Sequence, residues 1–285
     1  MRYLITLFCL FVAVWAQAGS PVWKVSQGDS HLYIAGTVHL LSQQDYPLPT
    51  AFDNAYKQAE ILVFETDLER LRQPSFAAQL QQQTRLADGV TIFNYLEADT
   101  AAQLRQHFKA RGLPESQLAQ LKAGMLSITL SLFELQRLGM AGMGVDEYFY
   151  QRAVADQKET FGLETPQHQL RFIADLGAGN EDALIRYTLD DLKRIPLSMM
   201  VLKQAWRTGD QKGLAQASLT PWVEHFPKIY RDLLVKRNQA WLPQIEQYLD
   251  SKPVELVLVG AMHLVGKDGL LAALQAGGYQ IENLN

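Results

Sequence analysis

Two short motifs near opposite ends of the chain each place a histidine three residues after a glycine. The first is Gly36-Thr37-Val38-His39 and the second is Gly260-Ala261-Met262-His263. Each motif follows an apolar run that is typical of a buried strand. In open α/β sheets, ligands bind in the crevice outside the carboxyl ends of the strands. The repeat therefore predicts that His39 and His263 face a common point.

A second repeat places carboxylates at two further predicted strand ends. Phe64-Glu65-Thr66 and Leu163-Glu164-Thr165 each close an apolar run. Two histidines and two glutamates in equivalent positions offer nitrogen and oxygen ligands that suit a divalent ion such as manganese, cobalt or zinc. Such an ion lowers the pKa of a bound water, and a nearby carboxylate can act as general base. The pattern therefore predicts a metal site for hydrolysis.

The predicted metal ligands are His39, His263, Glu65 and Glu164, and the two glutamates are also catalytic candidates. The residues themselves do not decide which glutamate ligates and which acts as the base. Arg237 is the third catalytic candidate, because an arginine turned toward a carboxylate pair holds its charge and orientation or stabilises a developing oxyanion. Arg237 is otherwise a surface charge. No residue is predicted to bind an organic cofactor.

Other catalytic signatures are absent from the sequence. There is no H-E-x-x-H and no G-x-S-x-G motif. The stretch from Gly260 to Lys267 approaches a phosphate-binding loop, but its spacing is one residue too long and Asp268 replaces the required serine or threonine. The only cysteine, Cys9, precedes the predicted fold, which excludes thiolate chemistry there.

The elements around these motifs predict an α/β fold with a central mixed sheet and large helical insertions. The chain is expected to open with a hairpin formed by Val22–Ser26 and His31–Ala35. Helical patterns fill two intervals, at about 68–157 and 166–250. A stripe of apolar residues spaced three and four apart predicts one long core helix. That stripe consists of Leu118, Leu121, Met125, Ile128, Leu132 and Leu135.

Composition indicates a globular protein with a targeting leader. The chain has 285 residues, 48% of them hydrophobic, and a formal charge of -4 without any block of Lys or Arg, which argues against nucleic-acid partners. An apolar run from Leu4 to Ala16 and the A-x-A site Ala16-Gln17-Ala18 predict a cleavable signal peptide over residues 1–18. An uncleaved anchor is the alternative. If the signal peptide is cleaved, residues 19–285 form one periplasmic or secreted domain with no membrane span.

The ordered set of motifs resembles the TraB/GumN family. The resemblance covers about residues 22–282 and implies kinship with the Tiki metalloproteases and, more distantly, with erythromycin-esterase and ChaN-like proteins. It implies an α/β sheet with helical additions, and a manganese-type or cobalt-type ion used to cleave peptides through two G-x-x-H histidines and a glutamate. Those positions correspond to His39, His263 and Glu65, and Glu164 matches a further motif of the family. The matching segments are Gly36-Thr37-Val38-His39, Phe64-Glu65-Thr66, Gly144-Val145-Asp146-Glu147-Tyr148, Gly162-Leu163-Glu164-Thr165, Arg237-Asn238-x-x-Trp241 and Gly260-Ala261-Met262-His263-Leu264-Val265-Gly266.

Together these observations predict a secreted or periplasmic metal-dependent hydrolase, most simply a peptidase, that acts on a peptide or small molecule. Two alternatives remain on the same scaffold. One is a non-catalytic metal-binding or haem-binding protein, and the other is an assembly factor for envelope polysaccharide. The sequence decides neither the substrate, nor the metal, nor the oligomeric state.

Overall fold

The computed structural model describes residues 19–285, so the predicted signal peptide at 1–18 lies outside the described residues. The strands are β1 (Val22–Gln27), β2 (Ser30–Thr37), β3 (Leu40–Leu41), β4 (Ile61–Thr66), β5 (Gly142–Met143), β6 (Glu159–Glu164), β7 (Glu255–Gly260) and β8 (Gln280–Asn283). Six of them form a central sheet in the order β6-β4-β7-β2-β1-β8, and β3 pairs with β5 in a small ribbon. Strands β2, β7, β4 and β6 are parallel, whereas β1 is antiparallel to both of its neighbours. The predicted α/β class with a mixed sheet is confirmed.

The chain begins with the predicted hairpin of β1 and β2. Its antiparallel register runs from Val22 opposite Ala35 to Gln27 opposite Ser30. Gly28 lies in the turn with a φ of 60°, which glycine adopts without a steric cost from a Cβ atom. The hairpin places β2 beside β7, the strand of the second histidine motif.

Helices fill the two long connections between the parallel strands. Between β4 and β6 lie α2 (Leu68–Leu71), α3 (Pro74–Thr84), α4 (Ala98–Arg111), α5 (Glu115–Leu118), α6 (Ala123–Arg137) and α7 (Val145–Ala155). Between β6 and β7 lie α8 (Pro166–Asp175), α9 (Glu181–Leu192), α10 (Ile195–Arg207), α11 (Gln211–Ser218), α12 (Thr220–His225), α13 (Pro227–Tyr230) and α14 (Lys236–Leu249). The remaining helices are α1 (Thr50–Gln58) and α15 (Leu270–Ala276). Within the described residues, no helix is long and apolar enough to cross a membrane.

Two hydrophobic clusters stabilise these layers. The larger cluster surrounds the sheet, where every residue of β7 is buried, as expected for a parallel strand covered on both faces. The smaller cluster lies within the helical connections and joins side chains of α4, α6 and α9, such as Phe108, Leu126 and Ile185. The larger cluster packs around the strands of the central sheet, and the smaller cluster stabilises the helices of the long connections.

The predicted long core helix is wrong in both its length and its buried face. The chain breaks between α5 and α6, and Leu121 pairs there with Arg85 in an isolated β-bridge. Within α6, Leu126 and Leu130 are buried, whereas Leu132 is 45% exposed. The reason is that α6 packs through its small residues: Gly124 leaves no room for a side chain beside the end of α8. The close contact at Gly124 therefore buries a different face of α6 from the one that the leucine spacing predicted.

Candidate functional site

The parallel strands bring the four predicted ligands to one edge of the sheet. Thr37 of β2 pairs with Gly260 of β7, and Thr66 of β4 pairs with Glu164 of β6. The carboxyl ends of these strands lie on the same side because all of them run in the same direction. His39 and His263 follow two of these ends, and Glu65 and Glu164 belong to the other two.

Three of the four side chains surround Gly260. A Cβ atom built on this glycine would lie 3.0 Å from Glu65 Oε1, 3.7 Å from His263 Cδ2 and 4.0 Å from His39 Nε2. The backbone N–H of Gly260 also donates a hydrogen bond of 2.7 Å to Glu65 Oε1. The glycine of the second motif therefore leaves space into which His39, Glu65 and His263 converge.

We call His39 the first arm of the site and His263 the second arm. The second arm, His263, is buried and neutral. Asn238 Nδ2 donates to the carbonyl oxygens of His263 and Asp268, and these two bonds fix the orientation of the amide. The amide oxygen, Oδ1, then lies 2.7 Å from His263 Nδ1. Because Oδ1 only accepts, the proton lies on Nδ1 and the lone pair on Nε2. Burial lowers the pKa of His263 to about 3, even though Glu65 opposes the shift. The ring also packs on Trp241, with centroids 4.6 Å apart.

The first arm, His39, is exposed and charged. Its Nδ1 lies 2.8 Å from Asp146 Oδ2, and its side chain is 69% exposed. The Asp146 carboxylate raises the pKa of His39 to about 9, so the imidazole is protonated at neutral pH. Asp146 reaches this position because Gly144, just before α7, packs directly on the His39 backbone, and Val145 N donates to Val38 O. Solvent screens this ion pair because it lies at the surface.

Arg237 lies at the centre of the cluster and contacts three of the predicted ligands. Its Nη2 donates to Glu65 Oε2 and Glu164 Oε1, each at 2.7 Å, and its Nε lies 3.1 Å from Glu164 Oε2. Its Nη1 lies 3.0 Å from His263 Nε2. A π-helical turn, Arg231–Val235, directly precedes α14 and the arginine, and such turns are frequent at functional sites. The guanidinium therefore joins the two glutamates to the buried histidine.

The charge of Glu65 is stabilised by its neighbours. Burial alone would raise the pKa of this carboxyl, but Arg237, both histidines and the Gly260 N–H outweigh burial and lower its pKa to about 2. Burial likewise opposes the charge of Arg237, yet Glu65 and Glu164 raise its pKa. Both side chains are mostly buried, with 12% and 15% exposure. The centre of the site is thus a desolvated ion cluster.

A large cleft opens beside the cluster. Its volume is about 1370 Å³, and its lining includes Glu164, Arg237 and Trp241. Its walls come mainly from α8, the segment before α9, α12, α13 and α14. His168, in the first turn of α8 after Glu164, also lines the cleft. The volume exceeds the roughly 300–1,000 Å³ of common small-molecule pockets.

Sequence reasoning assigned no role to the residues that orient the two histidines. Asp146 lies 107 positions from its partner His39, and Asn238 lies 25 positions from its partner His263. A signal for both existed, since each lies in a short segment matching the family pattern. His31, His107 and His225 lie outside the cluster.

The donor set fits a divalent ion chemically. His39 and His263 each engage Nδ1 with a hydrogen-bond partner and keep Nε2 for the site, which is the usual arrangement of ligating histidines. Glu65 adds a charged oxygen. As placed, however, the described chain contains no group of three or more His, Cys, Asp or Glu side chains arranged to hold a metal ion. Instead, Arg237 makes hydrogen bonds to His263 Nε2 and Glu65 Oε2, two atoms that could bind the ion.

The fold and site define an α/β protein whose parallel strand ends carry a cluster of histidine, glutamate and arginine. The model of the TraB/PrgY/gumN family matches residues 21–283, and the chain belongs to this family. The resemblance predicted from the motifs is confirmed. Among curated proteins, the chain is similar to the uncharacterized protein YbaP of Escherichia coli K12, with 24% identity over 85% of this chain and 87% of that protein. YbaP of Shigella flexneri matches to the same extent, and no solved structure matches.

Proposed function

We propose that this chain is a periplasmic or secreted metal-dependent hydrolase, and specifically a peptidase. The observation that carries the proposal is the convergence of His39 Nε2, Glu65 Oε1 and the His263 ring around Gly260. The proposed location follows from the predicted signal peptide. The proposed ligands are His39, His263 and Glu65.

The oriented imidazoles support this proposal. Hydrogen bonds at Nδ1 hold the rings of His39 and His263 in place and fix the tautomer of the buried ring. His39 must release the proton on Nε2 to become a ligand, so ion uptake is proposed to release a proton near neutral pH. Burial keeps His263 unprotonated over the same range.

The proposed chemistry is hydrolysis of a carbonyl substrate. A divalent ion in this site would supply a water of lowered pKa and polarise the carbonyl group. Arg237 lines the cleft, and its positive charge can stabilise negative charge developing on the substrate oxygen. In the metal-free site its N–H groups contact Glu65, Glu164, His263 and the Leu233 carbonyl oxygen. Glu164 fixes the orientation of that guanidinium through a bidentate contact. Glu65 is a ligand in this proposal and the nearest carboxylate for proton transfer.

The cleft supports a chain-like substrate. It is too large for a single small ligand, and its lining mixes apolar rings such as Phe172 and Phe226 with charged groups such as Arg171 and Asp175. An extended peptide presents a similar mixture of side chains along its length. Its scissile carbonyl would lie beside Glu164 and Arg237, the residues of the cluster that line the cleft.

The direct experiment is metal analysis of the purified mature protein after dialysis against manganese, cobalt or zinc. We expect about one bound ion per chain and cleavage of a fluorogenic peptide library only with metal. His39→Ala combined with His263→Ala should lose both the ion and the activity. Unchanged metal content in this double variant would rule out the proposed ligands.

Two controls separate the outcomes. His31→Ala removes a histidine of β2 outside the cluster and should retain metal and activity. His39→Ala alone changes an exposed position and therefore keeps the test valid where the double variant does not fold. Stoichiometric metal without turnover of any peptide or ester would instead identify a non-catalytic metal-binding protein.

A further inference from the structure

We infer that Arg237 competes with the divalent ion for the same donor atoms. Its guanidinium is the counter-cation of the metal-free site and must turn away from His263 and Glu65 when the ion binds. The inference rests on the proposed function because it concerns the ion proposed there. It also divides the two glutamates: Glu65 is a metal ligand, and Glu164 is the residue that holds Arg237.

The first support is the shared lone pair of His263. Asn238 Oδ1 accepts a hydrogen bond from the Nδ1–H of His263. The ring lone pair that could bind a metal ion is therefore on Nε2. Arg237 Nη1 lies 3.0 Å from this nitrogen and donates to it. A metal bond would use the same lone pair. The hydrogen bond and the metal bond therefore exclude each other.

The second support is Glu65, both of whose oxygens are occupied. Oε1 accepts from the Gly260 N–H, and Oε2 accepts from Arg237 Nη2, each at 2.7 Å. The backbone contact is fixed by the strand, whereas the arginine contact depends on a side-chain rotamer. Release of Nη2 is therefore the simplest way to free an oxygen for the ion.

The third support is repulsion between two cations at one place. Arg237 Nη1 and Nη2 contact His263 Nε2 and Glu65 Oε2, which are donor atoms of the proposed ion, so a divalent ion bound there would lie beside the guanidinium. Solvent screens this repulsion little because Glu65, Glu164 and Arg237 are at most 15% exposed. Movement of Arg237 away from His263 and Glu65 reduces the repulsion.

The fourth support is the contact with Glu164, which leaves Arg237 a second place to bind. The pair is bidentate, through Nε to Oε2 at 3.1 Å and Nη2 to Oε1 at 2.7 Å. Both residues line the cleft, so the guanidinium has open space on that side. Glu164 can thus retain the arginine while His263 and Glu65 are released.

The test is calorimetric titration of manganese alone into the metal-free mature protein. Arg237→Gln removes the guanidinium group and its charge. Arg237→Lys keeps the charge but cannot contact three partners at once. We expect both variants to bind manganese at least about tenfold more tightly than wild type. Lys236→Gln, which removes an exposed charge from the same helix turn, should bind like wild type.

Each outcome decides between the inference and the proposed function. If only Arg237→Gln gains affinity and Arg237→Lys matches wild type, charge repulsion alone explains the result and competition for donors is wrong. If both variants bind equally to or more weakly than wild type, Arg237 does not compete, although the metal site stands. Lack of binding by every chain would remove the metal site and this inference together. If Arg237→Gln fails to fold, Arg237→Lys decides.

Discussion

The two histidine arms share a sequence motif and a position after a parallel strand, yet their surroundings are opposite. His263 is almost fully buried, at 1% exposure, and its partner is a neutral amide, Asn238. His39 is exposed to solvent, and its partner is a carboxylate, Asp146. Burial lowers the pKa of His263, whereas the carboxylate raises the pKa of His39. One ring is neutral at pH 7 and the other is charged.

This difference shows what a repeated motif determines. Gly-x-x-His after a parallel strand sets the position of each ring at the sheet edge, although Ala261–His263 forms a 3₁₀ turn and the first copy continues the strand to Thr37. The protonation state depends on the helix that packs against each arm: α14 supplies Asn238, and α7 supplies Asp146. The buried arm is thus prepared to ligate at neutral pH, and the exposed arm must first lose a proton.

The largest expected difference between the arms is in folding stability. His263→Ala should lower the free energy of unfolding of the metal-free protein by about 2–4 kcal/mol, because it leaves Asn238 Oδ1 unpaired and a cavity beside Trp241. His39→Ala should lower it by no more than about 1 kcal/mol, since the ring is exposed and solvent screens its ion pair with Asp146. Urea unfolding in the presence of a chelator measures both values. Equal losses in the two variants would contradict the described environments.

A smaller difference is expected in the pH dependence of stability. The pKa of His263 is about 3 in the folded protein, against about 6.5 in an unfolded chain. Between these values only the unfolded chain binds the proton, so stability falls as the pH falls below 6.5. Glu65, with a folded pKa of about 2, adds its own loss below about pH 4.3. The window from about pH 4.5 to 6.5 therefore isolates His263 from Glu65, with a slope of up to about 1.4 kcal/mol per pH unit.

His39 should act in the other direction. Its folded pKa of about 9 exceeds the unfolded value, so its contribution to stability is complete below about pH 6.5 and is lost as the pH rises toward 9. The effect is weaker because solvent screens the exposed pair. Urea midpoints measured from pH 4.5 to 9 should show a flatter acid limb in His263→Gln and a flatter alkaline limb in Asp146→Asn. Identical profiles in wild type and both variants would show that neither ring titrates as described.

The strand pattern predicted the frame of the site well. Apolar runs before Gly36 and Gly260, and before the two Glu-Thr pairs, are local signals that depend on side-chain alternation and burial. Parallel pairing then requires the strand ends to meet at one edge. The mixed α/β class, the opening hairpin and the meeting of the two motifs at the sheet edge all follow from these signals.

The sequence predicted an Arg237 turned toward the two carboxylates, but the contacts that orient the histidines and the contact of Arg237 with His263 were beyond sequence reasoning. Asp146 and His39 are 107 positions apart, and their contact depends on how Gly144 lets α7 approach the first arm. The place of Arg237 depends on the register of α14 after a π-helical turn. The helical stripe failed for a related reason, since helix packing at Gly124 chose the buried face. Tertiary packing over long separations has no local pattern.

The most direct test of the central claim is X-ray absorption spectroscopy of the zinc-loaded protein, which counts imidazole nitrogens at about 2.0–2.1 Å from the ion. The account predicts two imidazoles in wild type, and one in each of His39→Gln and His263→Gln. Two imidazoles remaining in either single variant would show that the corresponding arm is not a ligand, and the shared site formed by the two motifs would be wrong.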